Sequence, residues 1–369
     1  MASAWATIDL EAVKGNVTAL VEMAAPAEVC AVVKADGYGH GAVPVARAAV
    51  DAGATWLAVA HVGEGAALRA GGLEVPILVL SEPDPNLLSH AADLGLQVTL
   101  FSEPGVRAAA AAASQARPVG VHLKVDTGMH RVGVDPDAVV PLAQRVIDAP
   151  GLELEALWTH LAVADEPDHD FTAVQLDRYQ GALDRLAAAG ISPHLRHAAN
   201  SAGAIAHPAS RFDLVRCGIA IYGISPSPEL AGRAPLRPAM SLSARVTQVK
   251  VVRAGEALSY GLRHRFDVPT TVATVGIGYA DGVRRDLHRL GGEVLLGGRR
   301  CPIVGTITMD QLMVDCGDVE VAAGDEAVLI GSQGHERITA EQVAARLDTI
   351  GYEVVCGVGP RVERRWVGC

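Results

Sequence analysis

The sequence is poor in aromatic residues and contains no long hydrophobic run. Only 4% of the 369 residues are Phe, Trp or Tyr, and the six alanines at 108–113 are too few to cross a bilayer. Alanine favours helices, so we expect a helix there. The start, MASAWATIDLEAVKGN, has no cationic segment followed by an apolar one, so we expect no signal peptide.

Basic residues are outnumbered and do not cluster. The chain carries 42 acidic and 31 basic residues, a formal net charge of -11, without a basic block. Nucleic acids and anionic membranes are bound through patches of Lys and Arg. We therefore expect no nucleic-acid partner and no membrane partner.

The cysteines include no CxxC pair. They lie at positions 30, 217, 301, 316, 356 and 369. This spacing is typical of small buried side chains in a reduced cytosol rather than of a disulfide framework. We expect a cytoplasmic protein without a metal site.

A chain of this length favours two domains. Residues 1–234 alternate short apolar runs with amphipathic stretches, and several runs are continuously apolar, as in strands buried on both faces. The runs are 29–33, 56–60, 76–80, 97–101, 119–125, 152–158, 194–198 and 212–219. The clearest helix between them has Leu176, Tyr179, Leu183 and Leu186 on one face, with Gly190 as its stop.

Eight strands separated by helices over roughly 200 residues predict a (β/α)8 TIM-type barrel. The alternative is a doubly wound open sheet, but the turn after the first strand lacks the GxGxxG spacing of that fold. Residues 235–369 are strand-length runs cut by Gly and Asp, which predict a mainly β second domain. One helix is expected over 339–351, with Thr339 as its cap and Glu341 closing a capping box.

Polar side chains close several of the predicted barrel strands. Each alone is typical of a solvated loop end, but the carboxyl ends of barrel strands meet at one face, where barrel enzymes carry their chemistry. We expect these side chains to form a site: Lys34, Lys124, Arg131, His160, Asn200, Ser201 and Arg216.

Lys34 is the most informative of these side chains. A lysine at the mouth of an apolar barrel is partly desolvated, which favours a neutral amine that can form a Schiff base with a carbonyl. Gly37, Gly39 and Gly41 let the backbone pass close to a bulky group. The small loops 199–203 and 217–223 follow the last two predicted strands, where barrels bind phosphate. Together these features predict pyridoxal 5'-phosphate (PLP).

The stretch AVVKADGYGHGA (31–42) closely resembles the PLP-attachment signature of the alanine racemase family. The resemblance extends over the whole chain in eight further stretches that occur in the family's order. They are HLKVDTGMHRVG (122–133), THLAVAD (159–165), HAANSAG (197–203), VRCGIAIYG (215–223), LSYG (258–261), VGIGYADG (275–282), GTITMDQLMVD (305–315) and GYEVVCGVGPRV (351–362).

The resemblance implies a homodimer that interconverts L-alanine and D-alanine with PLP and supplies D-alanine for peptidoglycan. Lys34 would hold the cofactor and act as acid and base on one face of the substrate Cα. Tyr260 would act on the opposite face, reaching the site from the partner subunit. Arg216 would donate to the pyridine nitrogen, and His160 would lie between Arg216 and Tyr260.

Further positions carry implied binding roles. Cofactor contacts would come from Tyr38, Arg131, His160, Asn200, Ser201, Gly218, Ile219 and Tyr352. Arg131, Met309 and Asp310 would bind the substrate carboxylate or lie beside it. Tyr279, Arg285 and Tyr352 would narrow the entrance, which favours a small substrate. Lys124 matches the position of a carbamylated lysine whose negative charge holds Arg131.

Three alternatives stay open. The first is a non-catalytic PLP carrier, but such a protein would not need the second domain that contains Tyr260. A decarboxylase of the same fold type uses a cysteine in the region of Tyr260, and the only nearby candidates here, Cys316 and Cys356, lie in no matching motif. A broader amino-acid racemase fits less well with the two entrance tyrosines.

Overall fold

The computed structural model describes residues 3–368, which form two compact units. The barrel unit comprises residues 13–37 and 41–237, and the β unit comprises residues 3–12, 38–40 and 238–368. The chain begins with strand β1 (Ala4–Asp9), which belongs to the β unit.

The barrel unit is built on eight parallel strands, as the apolar runs predicted. They are β2 (Glu28–Val32), β3 (Trp56–Val59), β4 (Ile77–Val79), β5 (Gln97–Leu100), β6 (Val119–Lys124), β7 (Leu152–Trp158), β8 (Leu195–His197) and β9 (Leu214–Cys217). Strands β2 to β8 pair in sequence order, and β9 pairs with β2, so that β8 and β9 are the two ends of the sheet. The Asp213 N–H donates to Arg196 O at 3.0 Å, and this bond links the ends of β8 and β9. The predicted eight-stranded barrel is confirmed.

Helices alternate with these strands. They are α1 (Leu10–Ala24), α2 (Lys34–Tyr38), α3 (Ala42–Asp51), α4 (Val62–Ala70), α5 (Leu88–Asp93), α6 (Glu103–Ala112), α7 (Val139–Asp148), α8 (Phe171–Ala188) and α9 (Ser201–Ala206). Helix α8 buries Tyr179, Leu183 and Leu186, as its periodicity predicted. The alanine run falls largely in α6, and Gly190 follows α8 with a φ of 75°.

The β unit is organised around a nine-stranded sheet. Its strands after β1 are β10 (Met240–Val252), β13 (Thr270–Val275), β14 (Glu293–Leu296), β15 (Arg299–Val304), β16 (Leu312–Gly317), β17 (Glu326–Gln333), β18 (Glu336–Ile338) and β19 (Glu363–Val367). Strands β11 (Ala257–Leu258) and β12 (His264–Arg265) form a separate hairpin. Strand β1 lies between β10, which is antiparallel to it, and β19, which is parallel. The second domain is mainly β, as predicted.

Two short helices complete the β unit, α10 (Ala340–Arg346) and α11 (Gly351–Cys356). Thr339 caps α10 as predicted, because its Oγ1 accepts from the Gln342 N–H at 3.1 Å. The expectation that Glu341 closes the capping box is wrong. The box residue stands three positions after the cap, and there the Gln342 side chain accepts from the Thr339 N–H at 3.3 Å.

The cysteine expectation holds with one correction. Cys30, Cys217, Cys301 and Cys316 are buried free thiols, whereas Cys356 is exposed. Cys369 lies outside the described residues. Between residues 3 and 368, no helix is long and apolar enough to span a membrane.

Candidate active site

The predicted cationic side chains come together at the carboxyl end of the barrel. Lys124 is the last residue of β6, and Arg216 lies in β9. The positive charges of Arg216, Arg131, Lys124 and Lys34 all act on His160, and together with burial, the largest cause, they hold its pKa well below the usual range. His160 is therefore a neutral imidazole, and its Nδ1 lies 3.3 Å from Arg216 Nη2.

Lys34 opens a turn of left-handed helix. Residues 35–38 all have φ between 51° and 62°, a conformation that costs a non-glycine residue about 1–2 kcal/mol. Hydrogen bonds hold the turn, from the Gly37 N–H to Val33 O at 2.9 Å and from the Ala42 N–H to Asp36 Oδ1 at 2.9 Å. Gly37 is also required for steric reasons, since a Cβ at this position would lie 3.2 Å from the Ala42 backbone.

Arg216 is a buried cation, only 3% exposed. Its Nη1 donates to His197 Nδ1 at 2.7 Å, and its Nη2 donates to Thr159 O at 2.8 Å and Ala198 O at 3.0 Å. The guanidinium carbon also lies 4.6 Å from the centre of the Trp158 ring. Burial lowers the pKa of Arg216 to about 10, so the group stays charged at neutral pH.

Lys124 is as deeply buried as Arg216. Its side chain is 3% exposed, and its Nζ lies 4.7 Å from the centre of the Trp158 ring. Burial, followed by the charges of Arg131 and Arg216, lowers the pKa of Lys124 to about 8. The neutral form of this amine is therefore more populated near physiological pH than that of an ordinary exposed lysine.

The small loops after β8 and β9 form a group of hydrogen-bonding atoms. Ser201 Oγ accepts from the Gly218 N–H at 2.9 Å and faces the Ala220 N–H at 3.4 Å. Asn200 caps α9, since its Oδ1 accepts from the Gly203 N–H at 2.9 Å. Ile219 begins the tight turn that follows Gly218. A hydroxyl beside turn N–H groups is an arrangement that suits a phosphate.

In the β unit, two predicted phosphate ligands lie together. The rings of Tyr38 and Tyr352 are 6.2 Å apart between centroids. Burial raises the pKa of the Tyr38 phenol, so this side chain is a hydrogen-bond donor at neutral pH. Arg364 Nε donates to Gly39 O at 3.1 Å and ties the Tyr38 segment to the end of the chain.

The other predicted residues of the β unit lie on exposed loops. Tyr260 is 73% exposed and Met309 is 51% exposed. The Tyr279 N–H donates to Thr308 O at 3.0 Å, which joins the loop of Tyr279 to the loop of Met309 and Asp310. Arg285 lines the same cavity as Tyr279, a space of about 460 Å³.

Sequence reasoning missed several residues that support this site. His197 and Trp158 pack against Arg216, and Arg361 binds Asp310 through Nη2 and Oδ1 at 2.7 Å. The signal for His197 was a histidine inside a predicted barrel strand, where the side chain must point either into the barrel or toward the helices. Nothing local marks Arg361, because its partner is 51 residues away.

A nearly closed ring of parallel strands with a cationic mouth, joined to a β unit, is the architecture of a class of amino-acid racemases. A model of the N-terminal domain of alanine racemase matches residues 8–226, and a model of the C-terminal domain matches residues 239–366. The chain belongs to the alanine racemase family. It is an isomerase that interconverts L-alanine and D-alanine.

Individual relatives agree over the full length. The alanine racemase of Symbiobacterium thermophilum is 47% identical, with 100% of this chain and 98% of the relative covered, and that of Thermobifida fusca is 46% identical with 98% of each covered. Among solved structures, alanine racemase from D-cycloserine producing Streptomyces lavendulae matches with a TM-score of 0.94 at 39% identity, covering 100% of this chain and 98% of its own. The Bacillus anthracis enzyme with bound L-Ala-P has the same TM-score and identity, with coverages of 100% and 96%. These matches favour alanine racemisation over the decarboxylase, broader racemase and carrier hypotheses.

Proposed function

We propose that this chain racemises alanine with PLP bound at the carboxyl end of the barrel, using Lys34 and the partner subunit's Tyr260 as the two bases. The observation that carries the proposal is the group of cations Arg216, Arg131 and Lys34 that acts on the neutral His160, with Arg216 Nη2 3.3 Å from His160 Nδ1. An anionic cofactor that carries a phosphate and binds a carboxylate substrate needs such a surplus of positive charge. The family's known use of PLP supports the same conclusion.

The residues present fit PLP. In the barrel unit, Ser201 Oγ and the adjoining turn N–H groups are hydrogen-bonding groups that suit a phosphate. Lys34 provides the amine for the aldehyde, and Arg216 is a charged donor without acceptor capacity. When bound, PLP supplies an electron-withdrawing ring that acidifies the Cα–H of alanine.

The chain's own residues then divide the work. Lys34 holds or moves a proton at one face of the alanine Cα, and Tyr260 does so at the other, because inversion requires opposite faces. Arg216 donates to the pyridine nitrogen. Since a guanidinium has no proton acceptor, that nitrogen stays unprotonated, which limits side reactions. His160, being neutral, adds no further positive charge beside Arg216.

The remaining proposed contacts bind the cofactor phosphate and the substrate carboxylate, and they restrict which substrates can enter. Phosphate is held by Tyr38, Ser201, Tyr352 and the backbone of Gly218 and Ile219, with Asn200 fixing the helix that carries Ser201. The ring oxygen and the substrate carboxylate are bound by Arg131, with Met309 and Asp310 beside the carboxylate. Tyr279, Arg285 and Tyr352 restrict the entrance to a small amino acid.

The proposed site is complete only in a homodimer. Tyr260 and Met309 are apolar-bodied side chains left 73% and 51% exposed in a single chain, which supports cover by a second copy. The proposed domain boundary at residues 234–235 assigns both residues to the mainly β domain. We place the enzyme in the cytoplasm, supplying D-alanine for peptidoglycan, as the family role and the free cysteines favour.

The first experiment follows the optical rotation of L-alanine incubated with purified protein and PLP. We expect decay to zero, abolished by Lys34→Ala and unchanged by Lys250→Ala, an exposed lysine on β10. A yellow, PLP-loaded protein that leaves the rotation unchanged would contradict racemisation and leave PLP binding standing.

Mixed dimers test the contribution of the partner. Lys34→Ala subunits alone are expected to be inactive, and Tyr260→Phe subunits alone are expected to racemise alanine at least about 10²-fold more slowly than the native protein. A heterodimer of the two contains one site with an intact lysine and an intact tyrosine, provided that Tyr260 acts across the interface. Recovered activity in the mixture supports this, and an inactive mixture that sedimentation confirms as heterodimeric contradicts it.

A further inference from the structure

A row of hydrogen-bonded side chains leads from Arg216 into the barrel. Arg216 Nη1 is 2.7 Å from His197 Nδ1, His197 Nε2 is 2.9 Å from His122 Nδ1, and His122 Nε2 is 2.7 Å from Gln97 Oε1. His122 and His197 are fully buried. The row joins β9, β8, β6 and β5 through the barrel interior.

The direction of every hydrogen bond in this row follows from Arg216. A guanidinium only donates, so His197 Nδ1 must be the acceptor and carries no proton. A neutral His197 then has its proton on Nε2 and donates to His122 Nδ1. By the same reasoning His122 donates from Nε2, so the Gln97 amide must present its oxygen. One arrangement of protons satisfies all three contacts.

Charge and packing agree with this arrangement. Burial, followed by the charge of Arg216, lowers the pKa of His122 to about 3 and that of His197 well below the usual range, so both rings are neutral. The Trp158 ring stacks on His197 at 5.5 Å with 12° between planes, and the same ring faces Arg216. A proton added to either imidazole would place two N–H groups against each other.

At the far end of the row, Gly120 leaves room for the Gln97 side chain. A Cβ on Gly120 of β6 would lie 2.9 Å from the Gln97 amide carbon and 3.0 Å from its oxygen. Any larger residue would therefore push the amide away from His122. The φ of this glycine is not positive, so its role is to leave room rather than to permit a turn.

We propose that Gln97 and His122 are positioning residues that act on the reaction through Arg216. Because the Gln97 amide oxygen accepts from His122 Nε2–H and His122 Nδ1 accepts from His197, these two residues hold both imidazole rings, and through them the guanidinium, in one orientation toward the barrel mouth. The proposal rests on the proposed function, in which Arg216 donates to the cofactor's pyridine nitrogen. Neither residue is assigned a role in that function.

The test combines nuclear magnetic resonance with kinetics. In purified protein with [15N]histidine, with and without PLP, we expect His122 and His197 to show the neutral Nε2–H pattern from pH 6 to 9. Gln97→Leu removes the last acceptor. Because Arg216 still sets both tautomers, we expect the Nε2–H pattern to persist, but the His122 Nε2–H proton resonance to move upfield and to exchange faster with water. It should lower kcat about tenfold with little change in KM, comparable to the loss of an outer hydrogen-bond partner at a metal site.

Matched variants separate positioning from simple stability. Gln97→Glu keeps an oxygen acceptor and is expected to retain the downfield His122 Nε2–H resonance and most of kcat. Gly120→Ala should resemble Gln97→Leu, and Gln144→Leu, on an exposed face of α7, should change nothing. If Gln97→Leu leaves the His122 Nε2–H resonance unchanged, or lowers stability and activity without moving it, the proposal is overturned. If the protein shows the tautomers but does not racemise alanine, the proposed function fails and the proton arrangement stands.

Discussion

The carboxylate of Glu64 accepts a 2.7 Å hydrogen bond from the backbone N–H of Ala35, the residue directly after Lys34. Its second oxygen accepts from the N–H groups of Ala60 at 2.7 Å and His61 at 3.1 Å. One side chain therefore ties the turn after β2 to the loop after β3. This support matters because Ala35 has a strained φ of 52°.

We expect Glu64→Gln to weaken both the fold and the positioning of Lys34. The amide keeps the size of the carboxylate but turns one acceptor into a donor, which leaves a backbone N–H without its partner. The expected loss is about 1–2 kcal/mol in the free energy of unfolding, with a lower affinity for PLP. Urea unfolding and PLP titration measure both, and Glu22→Gln on an exposed face of α1 is the control. Unchanged values in both assays would contradict a supporting role.

Gly39 is required for space as well as for its backbone angle. Its φ is 80°, and a Cβ there would lie 2.5 Å from Val355 O of α11. Gly72 is a matched control, with a φ of 79° and nothing within 4 Å of its Cβ position. We expect Gly72→Ala to cost about 1 kcal/mol from the angle alone, and Gly39→Ala to cost clearly more. Equal losses in denaturant unfolding would show that the contact with Val355 is unimportant.

Arg364 clamps the Tyr38 segment to the end of α11. Besides Gly39 O, it donates to Val358 O at 2.6 Å and Val362 O at 2.8 Å. A lysine cannot reproduce this fork of donors, so Arg364→Lys should cost about 2 kcal/mol in the free energy of unfolding and weaken PLP binding. Arg299→Lys, in an exposed pair with Asp318, should cost under about 1 kcal/mol. A similar effect of both substitutions would contradict the clamp.

The parts of this structure that could be predicted from the sequence are those marked by a pattern within a few neighbouring residues. The eight barrel strands were found because each is a continuous apolar run, and the topology then places Lys124, His160 and Arg216 at one end. Strand β1 carries no such signal for its partners, and it joins β10 and β19, more than 200 residues away. The predicted first domain included residues 1–12, because nothing local distinguishes this strand from a barrel strand.

The support of the site could not be predicted for the same reason. Glu64 and Ala35 are 29 residues apart, and Gln97 meets His122 only when β5 and β6 pair. The capping box, by contrast, is a local feature. The pattern predicted the cap at Thr339, and the box residue is Gln342 rather than Glu341 because it stands three positions after the cap.

Tyr260→Phe should remove proton transfer at one face of the alanine Cα and leave proton transfer by Lys34 at the other face. An enzyme cannot alter the equilibrium between enantiomers of equal energy, so kcat/KM must fall equally in both directions of racemisation. The loss of one acid–base group should be about 10²–10⁴-fold, and the fall in kcat should differ between directions. In D2O, Lys34 still exchanges the Cα proton on its own face. Tyr260→Phe should therefore incorporate deuterium into one enantiomer of alanine faster than it racemises. Exchange into both enantiomers at equal rates would contradict the two-base assignment.

Lys124 makes stability depend on pH in a definite direction. Its pKa falls from 10.5 to about 8 in the folded state, so between these values the unfolded chain binds more protons. The free energy of unfolding should therefore rise with pH across this window. Below pH 8 the amine is protonated in both the folded and the unfolded state, so the cost of burying the ammonium no longer changes with pH. Lys124→Met should remove this contribution to the slope. Measurements are made in buffers free of CO2, since the neutral amine is the form that reacts with CO2.

The same neutral amine accounts for the proposed carbamate. Nitrogen attack on CO2 forms one N–C bond and releases one proton, which replaces a buried cation with an anion beside Arg131 and Arg216. With [13C]bicarbonate we expect one carbamate resonance in the native protein. It should disappear in Lys124→Met and persist in Lys250→Met, because an exposed lysine lacks the cations that stabilise the product. A native protein without this resonance would contradict carbamylation of Lys124.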